Sequence, residues 1–278
     1  MDDVREVQLS GKHQNMLDHF IKACQADERI IAAFLIGSYV NGKPDEHSDL
    51  DLCLVTADEV YDDFVATREL FVQELGEPAF MEDFNIPNIL FLIFPDGSEV
   101  EFNYARESQL SGLFNAPYKV LLDKQNLTEN ITFNEREVDK AEQTEKLRRF
   151  IYWFWHDFSH FVTAIGRNQL WWARGELEIL RSMCVGLARL KHNFSDSEVE
   201  EEVYFKIDKA MPTEPLSPLK ETFVSIGKEA LMDAAFVILD FYREKAIPLA
   251  KEHEIVYPVA LEKALVARLE KIRNENLS

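Results

Sequence analysis

Short apolar runs alternate with polar segments in the first part of the chain. Apolar residues recur at helical spacing over residues 12–28, and uninterrupted apolar runs follow over residues 30–36 and, broken only by an aspartate, 50–55. Helical spacing returns over residues 59–75. These patterns predict a helix, two buried strands and a second helix.

Two further strand candidates cover residues 88–94 and 99–104. The sequence Pro-Asp-Gly-Ser at residues 95–98 separates them, and its residue types favour a tight turn. We therefore expect these two strands to pair as a hairpin.

From about residue 135 the pattern changes to the periodicity of long helices. An apolar stripe runs along residues 147–165, and a second amphipathic helix is predicted over residues 169–191. After a proline-containing break, helical segments are predicted over about residues 219–245 and from Pro258 to near residue 272. A helical bundle is the expected result.

The elements together predict an α+β fold in two domains. Residues 1–130 form an N-terminal domain with a mixed β-sheet flanked by helices, and residues 131–278 form a C-terminal helical bundle. A chain of 278 residues has room for two modest domains. Its 46% hydrophobic and 29% charged residues are ordinary for a globular protein and exclude disordered and disulfide-scaffold classes.

The charge balance narrows the range of partners. The chain carries 50 acidic and 30 basic residues, which gives a formal net charge of −20. Nucleic acid is normally held by clustered Lys and Arg, so it is not expected as the primary partner. A small cationic substrate would be attracted to such a surface.

Cysteine usage and hydropathy indicate the cellular compartment. The three cysteines, Cys24, Cys53 and Cys184, are widely spaced and form no Cys-x-x-Cys pair, so neither a disulfide framework nor a cysteine zinc site is predicted. The N-terminus lacks the pattern of a signal peptide, and no apolar run approaches the roughly 18 residues of a membrane span. A cytoplasmic location without membrane insertion is expected.

A Gly-Ser turn and two carboxylates form the candidate chemical site. Gly37 and Ser38 follow the first apolar run, and Asp49 and Asp51 alternate with leucines at the start of the second. Residues i and i+2 of a strand face the same side, so both carboxylates project together and favour bound cations such as Mg²⁺. A glycine lets backbone N–H groups approach a phosphate, and the serine hydroxyl adds a donor.

The neighbouring segments supply further candidates. Glu99 and Glu101 lie on one face of the hairpin strand, and either could be a third catalytic carboxylate. Lys43 fits a phosphate ligand and a solvated turn residue equally well. Ser48 fits turn stabilisation better than reaction, and it stays among the candidate nucleotide-binding residues.

These residues resemble the nucleotidyltransferase superfamily that includes DNA polymerase beta. Its pattern is a hydrophobic residue, Gly, Gly or Ser, a spacer, then Asp-hydrophobic-Asp and a later acidic residue on a neighbouring strand; Gly37, Ser38, Asp49 and Asp51 match it in order and gap. The chain is most similar to the aminoglycoside adenylyltransferases and lincosamide nucleotidyltransferases, which append a helical bundle to this domain.

The hairpin carries the more detailed resemblance. Residues 91–102 are similar to the hairpin of the streptomycin 6-adenylyltransferases, and residues 120–124 resemble the element that follows it there. That comparison makes Glu101 the third carboxylate. A comparison with spectinomycin-type enzymes through the Glu-Val pair favours Glu99, so both remain candidates.

The resemblance implies a nucleotidyltransferase that moves AMP, or another nucleoside monophosphate, from ATP or another NTP to a hydroxyl of a small molecule. An aminoglycoside or related antibiotic is the candidate acceptor, which implies a role in antibiotic resistance, and pyrophosphate is released. Asp49 and Asp51 would hold two Mg²⁺ ions. Glu101 would complete the metal site or accept the hydroxyl proton. The Gly-Ser turn and Lys43 would hold the β and γ phosphates.

Other functions stay open from the sequence alone. The same carboxylates would serve nucleotidyl transfer to a protein or to RNA. A noncatalytic nucleotide-binding partner, like an antitoxin built on this fold, is the alternative from a different class. A monomer and a homodimer are both compatible with the sequence.

The bundle contributes a second group of candidates. Asp157 and Glu176, with aromatic neighbours, are candidates for binding a cationic acceptor, and interdomain or dimer packing explains them equally well. His156 and His160 have the i, i+4 spacing of helical metal ligands. The sequence indicates no third ligand near them, so it predicts no metal site there.

Overall fold

The fold is taken from a computed structural model, in which the chain divides into two compact units, Met1–Arg136 and Glu137–Ser278. The structure describes residues 11–40, 44–45, 47–110, 117–131, 139–195, 203–212 and 214–277. No helix among these described residues is long and apolar enough to span a membrane.

The first unit is built on a mixed six-stranded sheet with the strand order β3-β4-β5-β2-β1-β6. Only β2 and β5 pair in parallel, and the other neighbours are antiparallel. The strands are β1 (Ile30–Leu35), β2 (Leu50–Thr56), β3 (Phe80–Glu82), β4 (Ile89–Ile93), β5 (Glu99–Arg106) and β6 (Lys119–Asp123). The mixed sheet predicted from the sequence is confirmed.

Two helices, α1 (Gly11–Ala26) and α2 (Tyr61–Gln73), contribute to the apolar core on one face of this sheet. Leu50, Leu52 and Leu54 of β2 are fully buried in that core. Cys53 and Val55 join a smaller apolar cluster. Because side chains alternate along a strand, Asp51 lies on the same face as this smaller cluster.

The predicted hairpin is confirmed. β4 and β5 pair antiparallel, with Phe91 opposite Glu101. The Phe94 N–H donates to the Ser98 carbonyl at 2.9 Å, and Gly97 adopts a φ of +77° in the turn. Two details differ from the sequence prediction. Helix α2 begins only after a 3₁₀ turn, Asp58–Val60, and the short strand β3 was not predicted because its three residues lack a buried face.

The second unit contains four long helices among its described residues, which confirms the predicted bundle. A single helical turn, Ile207–Ala210, and a 3₁₀ segment, Glu214–Thr222, connect the second and third of them. The long helices are α3 (Lys140–Gly166), α4 (Leu170–His192), α5 (Lys228–Glu252) and α6 (Val259–Leu277).

The third bundle helix begins later than the sequence pattern predicts. The pattern placed its start near residue 219, whereas α5 begins at Lys228. Pro215 and Pro218 lack the N–H groups that α-helical bonding needs, and the chain forms the 3₁₀ segment there instead. Arg181 of α4 anchors this segment, because its guanidinium donates to the Thr222 hydroxyl and to the Thr222 carbonyl, both at 2.7 Å.

Candidate active site

Gly37 lies two residues after the end of β1 and close to Asp51. Its φ is +70°, in the left-handed region that favours glycine. A Cβ built at this position would lie 1.6 Å from Asp51 Oδ2, so no other residue fits without displacing the carboxylate. The Ile36 N–H also donates to the Asp51 carbonyl at 3.1 Å. The turn after β1 is therefore bonded to β2 at the candidate catalytic residue.

Ser38 follows in the 3₁₀ turn Gly37–Tyr39. Its Oγ is buried and has no hydrogen-bond partner within the described part of the chain. A buried hydroxyl without a partner costs about 1–3 kcal/mol, so such groups in native proteins call for an explanation. A phosphate oxygen bound at this turn would supply the missing partner.

The parallel pairing of β2 and β5 places Asp51 beside Glu101. The two residues are register partners, and neighbouring strands lie about 4.8 Å apart. Register partners project from the same face, so the two carboxylates are neighbours. Both are partly buried, as is Asp49, which immediately precedes β2. Glu101 Oε1 accepts a hydrogen bond from Asn103 Nδ2 at 3.2 Å.

Glu99 occupies a different position from Glu101. It is the first residue of β5, it is exposed, and its partner on β4 is Ile93. It precedes Glu101, the register partner of Asp51, by two residues, and such residues are about 7 Å apart along a strand. The strand register thus brings Glu101, and not Glu99, directly beside Asp51.

A buried pair behind the turn was not predicted from the sequence. His13 of α1 and Tyr39 are both buried, and His13 Nδ1 lies 2.5 Å from the Tyr39 hydroxyl oxygen. Burial, with a smaller contribution from Lys12, lowers the pKa of His13, and the charges of Asp96 and Asp49 oppose the shift. The available signal was that His13 stands one turn before Leu17, on the apolar face of the helix.

Lys43 and Ser48 are the two remaining candidates for nucleotide binding between β1 and β2. Lys43 lies outside the described residues. Ser48 Oγ accepts a hydrogen bond from the Asp45 N–H at 2.9 Å, and the Ser48 N–H donates to the Asp45 carbonyl at 3.1 Å. The Ser48 side chain therefore stabilises its own turn, and a role in nucleotide binding stays a prediction.

The candidates of the second unit lie on the neighbouring helices α3 and α4. Asp157 Oδ1 lies 2.6 Å from His156 Nδ1, and Glu176 Oε1 accepts a hydrogen bond from Trp172 Nε1 at 2.6 Å. His160 Nδ1 is 4.0 Å from Glu176 Oε1. Possible ligand atoms of His156, Asp157 and His160 lie within 4.8 Å of one another, so Asp157 supplies the third donor that the sequence pattern did not indicate.

Comparisons with known proteins identify the family. Residues 11–272 match the family model described as streptomycin adenylyltransferase. A search of curated proteins gives no match.

Several solved structures are similar to the chain. An aminoglycoside 6-adenyltransferase from Bacillus subtilis is 19% identical, with 95% of this chain and 99% of that chain covered and a TM-score of 0.40. The CdnE c-di-GMP synthase from Capnocytophaga granulosa is 14% identical, with 84% and 80% covered and a TM-score of 0.29. The CdnE cyclic dinucleotide synthase from Elizabethkingia meningoseptica is 13% identical, with 94% and 91% covered and a TM-score of 0.30.

The family match covers the whole of the candidate site described above. It begins in α1, where His13 lies, and it includes the Gly-Ser turn, the carboxylates on β2 and β5, and almost all of the helical bundle. The match thus extends well beyond the short motif that first suggested a nucleotidyltransferase. The chain belongs to the streptomycin adenylyltransferase family, and it is a nucleotidyltransferase.

Proposed function

We propose that this nucleotidyltransferase moves AMP from ATP to a hydroxyl group of a small cationic molecule of the aminoglycoside type and releases pyrophosphate. The observation that carries the proposal is the side-by-side placement of Asp51 and Glu101 next to the Gly37–Ser38 turn. This arrangement combines a carboxylate pair with a turn suited to phosphate. Both are needed where a triphosphate is cleaved.

The carboxylate group fits a hard divalent cation. Asp49, Asp51 and Glu101 offer only oxygen donors, which Mg²⁺ prefers. Carboxylates held close together repel one another unless a cation or proton neutralises them. Mg²⁺ bound here would neutralise charge on the triphosphate and lower the pKa of the acceptor hydroxyl. We propose Asp49 and Asp51 as the principal ligands, for two ions, with Glu101 as the third carboxylate.

The Gly-Ser turn is the proposed phosphate site. Gly37 has no Cβ, which lets the turn approach Asp51 closely, so a phosphate bound to the backbone N–H groups of the turn would lie near that carboxylate. The buried Ser38 hydroxyl can donate to a phosphate oxygen and thereby gain the partner that it lacks in the described part of the chain. Donors held in a fixed turn stabilise the negative charge that develops on the leaving pyrophosphate.

Glu101 is the proposed acceptor of the hydroxyl proton where it does not bind the cation. Asn103, two residues along the same strand face, donates to one of its oxygens and so restricts the rotation of the carboxylate. A base must lie within hydrogen-bond reach of the proton that it removes, and a fixed orientation helps to meet that requirement. Asn103 is accordingly a positioning residue in this proposal.

The choice of acceptor rests on charge and on the family. A net charge of −20 attracts a polycation over long range, and the matching family model is described as a streptomycin adenylyltransferase. ATP and Mg²⁺ are both abundant in the cytoplasm, so we propose that the reaction takes place there. The acceptor-binding role of Asp157 and Glu176 stays a prediction.

The test is pyrophosphate release from ATP and Mg²⁺ with a panel of aminoglycosides, a lincosamide and spectinomycin. We expect release only with an aminoglycoside present. Asp51→Asn should abolish it, whereas Asp63→Asn, the same substitution at an exposed position of α2, should retain it. Release that is equal in the wild type and Asp51→Asn would contradict the proposed site, and release with the lincosamide but with no aminoglycoside would contradict the proposed substrate class.

A further inference from the structure

A second group of metal-ligating side chains lies in the helical bundle, apart in sequence from the transferase carboxylates. His156 and His160 stand one turn apart on α3, and their ring centroids are 4.4 Å apart. Side chains at i and i+4 share one face of a helix. Two imidazoles in this arrangement can bind a single ion.

Two carboxylates complete the group. Asp157 Oδ1 lies 2.6 Å from His156 Nδ1, and the possible ligand atoms of His156, Asp157 and His160 lie within 4.8 Å of one another. Glu176 comes from the neighbouring helix α4, and its Oε1 is 4.0 Å from His160 Nδ1. The group therefore contains two nitrogen donors and two carboxylates contributed by two helices.

Glu176 gives independent evidence for a bound cation. The residue is 7% exposed, and its Oε2 is buried without a hydrogen-bond partner among the residues that the structure describes. Its Oε1 accepts a hydrogen bond from Trp172 Nε1 at 2.6 Å, which holds the carboxylate beside His160. A buried carboxylate oxygen is costly unless a donor or a cation compensates it. A cation bound between the Glu176 carboxylate and His160 would neutralise the charge of that carboxylate.

The four side chains differ in solvent exposure, so the site has a buried side formed by the carboxylates and an exposed side formed by the imidazoles. The side chains of Asp157 and Glu176 are only 13% and 9% exposed, whereas those of His156 and His160 are 50% and 43% exposed. An ion can therefore enter from solvent past the imidazoles and meet the carboxylates beneath them. The more exposed side chains are also those with most freedom to adjust.

We propose that His156, Asp157, His160 and Glu176 bind one late first-row divalent cation, with Zn²⁺ as the best fit. Imidazole nitrogens favour Zn²⁺, Ni²⁺ and Cu²⁺, whereas Mg²⁺ prefers oxygen donors alone. A bound ion links α3 to α4 and neutralises two poorly solvated carboxylates. None of these residues belongs to the proposed Mg²⁺ group of the first unit, so this cation site is distinct from that group.

The distances require only side-chain adjustment. Zinc binds nitrogen and carboxylate oxygen at about 2.0–2.2 Å, so donors around it lie about 3.4 Å apart. The donors of His156, Asp157 and His160 lie within 4.8 Å of one another, and Glu176 Oε1 lies 4.0 Å from His160 Nδ1. Rotation of the exposed imidazoles closes the difference. Asp157 either binds the ion directly or holds His156 Nδ1 so that Nε2 binds it, an arrangement common among zinc ligands.

The test is a calorimetric titration of the whole chain with Zn²⁺, in a buffer that contains excess Mg²⁺ and no other transition metal. We expect one equivalent to bind with a micromolar or lower Kd and to raise the melting temperature, because an ion that binds only the folded state stabilises it. His160→Ala and Glu176→Gln should each weaken binding by at least about tenfold. The matched control is His192→Ala, an exposed histidine at the end of α4 that should leave the Kd unchanged.

Two further measurements keep the test decisive. Glu176→Gln retains an oxygen for the Trp172 hydrogen bond, and its melting temperature without metal confirms that the variant is folded. Asp51→Asn should bind Zn²⁺ like the wild type, so failure of the transferase proposal and failure of this one are distinguishable. Absence of Zn²⁺ binding in the wild type, or equal Kd values for His160→Ala, Glu176→Gln and His192→Ala, would overturn the proposal. If His160→Ala and Glu176→Gln weaken the binding of an aminoglycoside but not that of Zn²⁺, this result would also overturn the proposal and favour the acceptor role.

Discussion

At the scale of single residues, Gly37 and Ser38 are the two positions of the candidate site with unusual local structure. Gly37 combines a positive φ with a carboxylate oxygen in the space that a Cβ would occupy. Ser38 buries a hydroxyl without a partner in the described part of the chain. The close approach of Asp51 explains why glycine is needed at position 37. The buried Ser38 hydroxyl costs stability, and a phosphate bound as proposed would supply its partner. Such local violations are typical of functional sites.

Gly37→Ala should damage activity more than its backbone effect alone explains. The added Cβ displaces Asp51 Oδ2, and misplacement of a reacting group by about 1 Å can cost about 100-fold in kcat/KM. The matched control is Gly97→Ala, because Gly97 has a similar φ of +77° but a Cβ there meets no described atom within 4 Å. The control should lose about 1–2 kcal/mol of folding free energy and retain activity. Equal kcat/KM values for the two variants would contradict the role of Gly37.

Ser38→Ala should separate stability from function. The substitution removes a buried polar atom that lacks a partner, so the unfolding free energy should stay constant or rise by up to about 1 kcal/mol. Loss of one phosphate donor should lower kcat/KM by about 100-fold. Denaturant unfolding and steady-state kinetics measure the two quantities. Ser182→Ala is the control, because this partly exposed serine of α4 donates its hydroxyl to the Ile179 carbonyl of its own helix. A loss of stability without loss of activity in Ser38→Ala would show a purely structural hydroxyl.

At the scale of elements, the helix α1 supports the turn through one buried contact. His13 and Tyr39 share a hydrogen bond of 2.5 Å, and their rings meet edge to face with centroids 5.6 Å apart. Tyr39 is the last residue of the turn that contains Gly37 and Ser38. The contact fixes the turn that contains Gly37 and Ser38 to a helix that contributes no candidate catalytic group.

His13 should make stability depend on pH. Burial lowers its pKa in the folded state below 6.5, so the unfolded chain binds more protons as the pH falls through this range. The stabilising contribution is therefore fully present above pH 6.5 and is lost as the pH falls towards the folded-state pKa. Urea unfolding at several pH values should show a smaller pH dependence in His13→Gln than in the wild type. The same substitution at the exposed His19 should leave the profile unchanged.

The elements that were predictable from the sequence are those with a local signal. An apolar run located β2, strand alternation placed Asp51 on the face opposite to that of Leu50 and Leu52, and the turn residues located the β4–β5 hairpin. The choice between Glu99 and Glu101 was not predictable, because it depends on the register of two strands far apart in sequence. The contact of His13 with Tyr39 and that of His160 with Glu176 are likewise tertiary and leave no local pattern.

At the scale of the whole molecule, charge is the property that bears most on function. The formal net charge of −20 repels free nucleic acid and attracts cations over distances that depend on salt. Each of the two compact units also has its own apolar core. The electrostatic effect on the acceptor should therefore be measurable without disturbing the fold.

Salt should weaken the capture of a polycationic acceptor. Raising the ionic strength from about 0.01 M to 0.15 M shortens the Debye length from about 30 Å to 8 Å, so long-range attraction is largely screened. We expect the KM for an active aminoglycoside to rise several-fold across this range, while kcat changes little. The KM for ATP-Mg²⁺, which is anionic, should not rise in parallel. A salt-independent KM for the aminoglycoside would show that the net charge does not guide the acceptor.

The central claim is that Asp51 and Glu101 form one catalytic group, and Asp51→Asn and Glu101→Gln measured together test it most directly. Both substitutions keep the side-chain size, so the melting temperature without ligand should stay nearly unchanged. Acceptor-dependent pyrophosphate release should be abolished in Asp51→Asn and reduced at least about 100-fold in Glu101→Gln, while Glu99→Gln should retain most of the wild-type rate. Wild-type release in Asp51→Asn, or a greater loss in Glu99→Gln than in Glu101→Gln, would contradict the account.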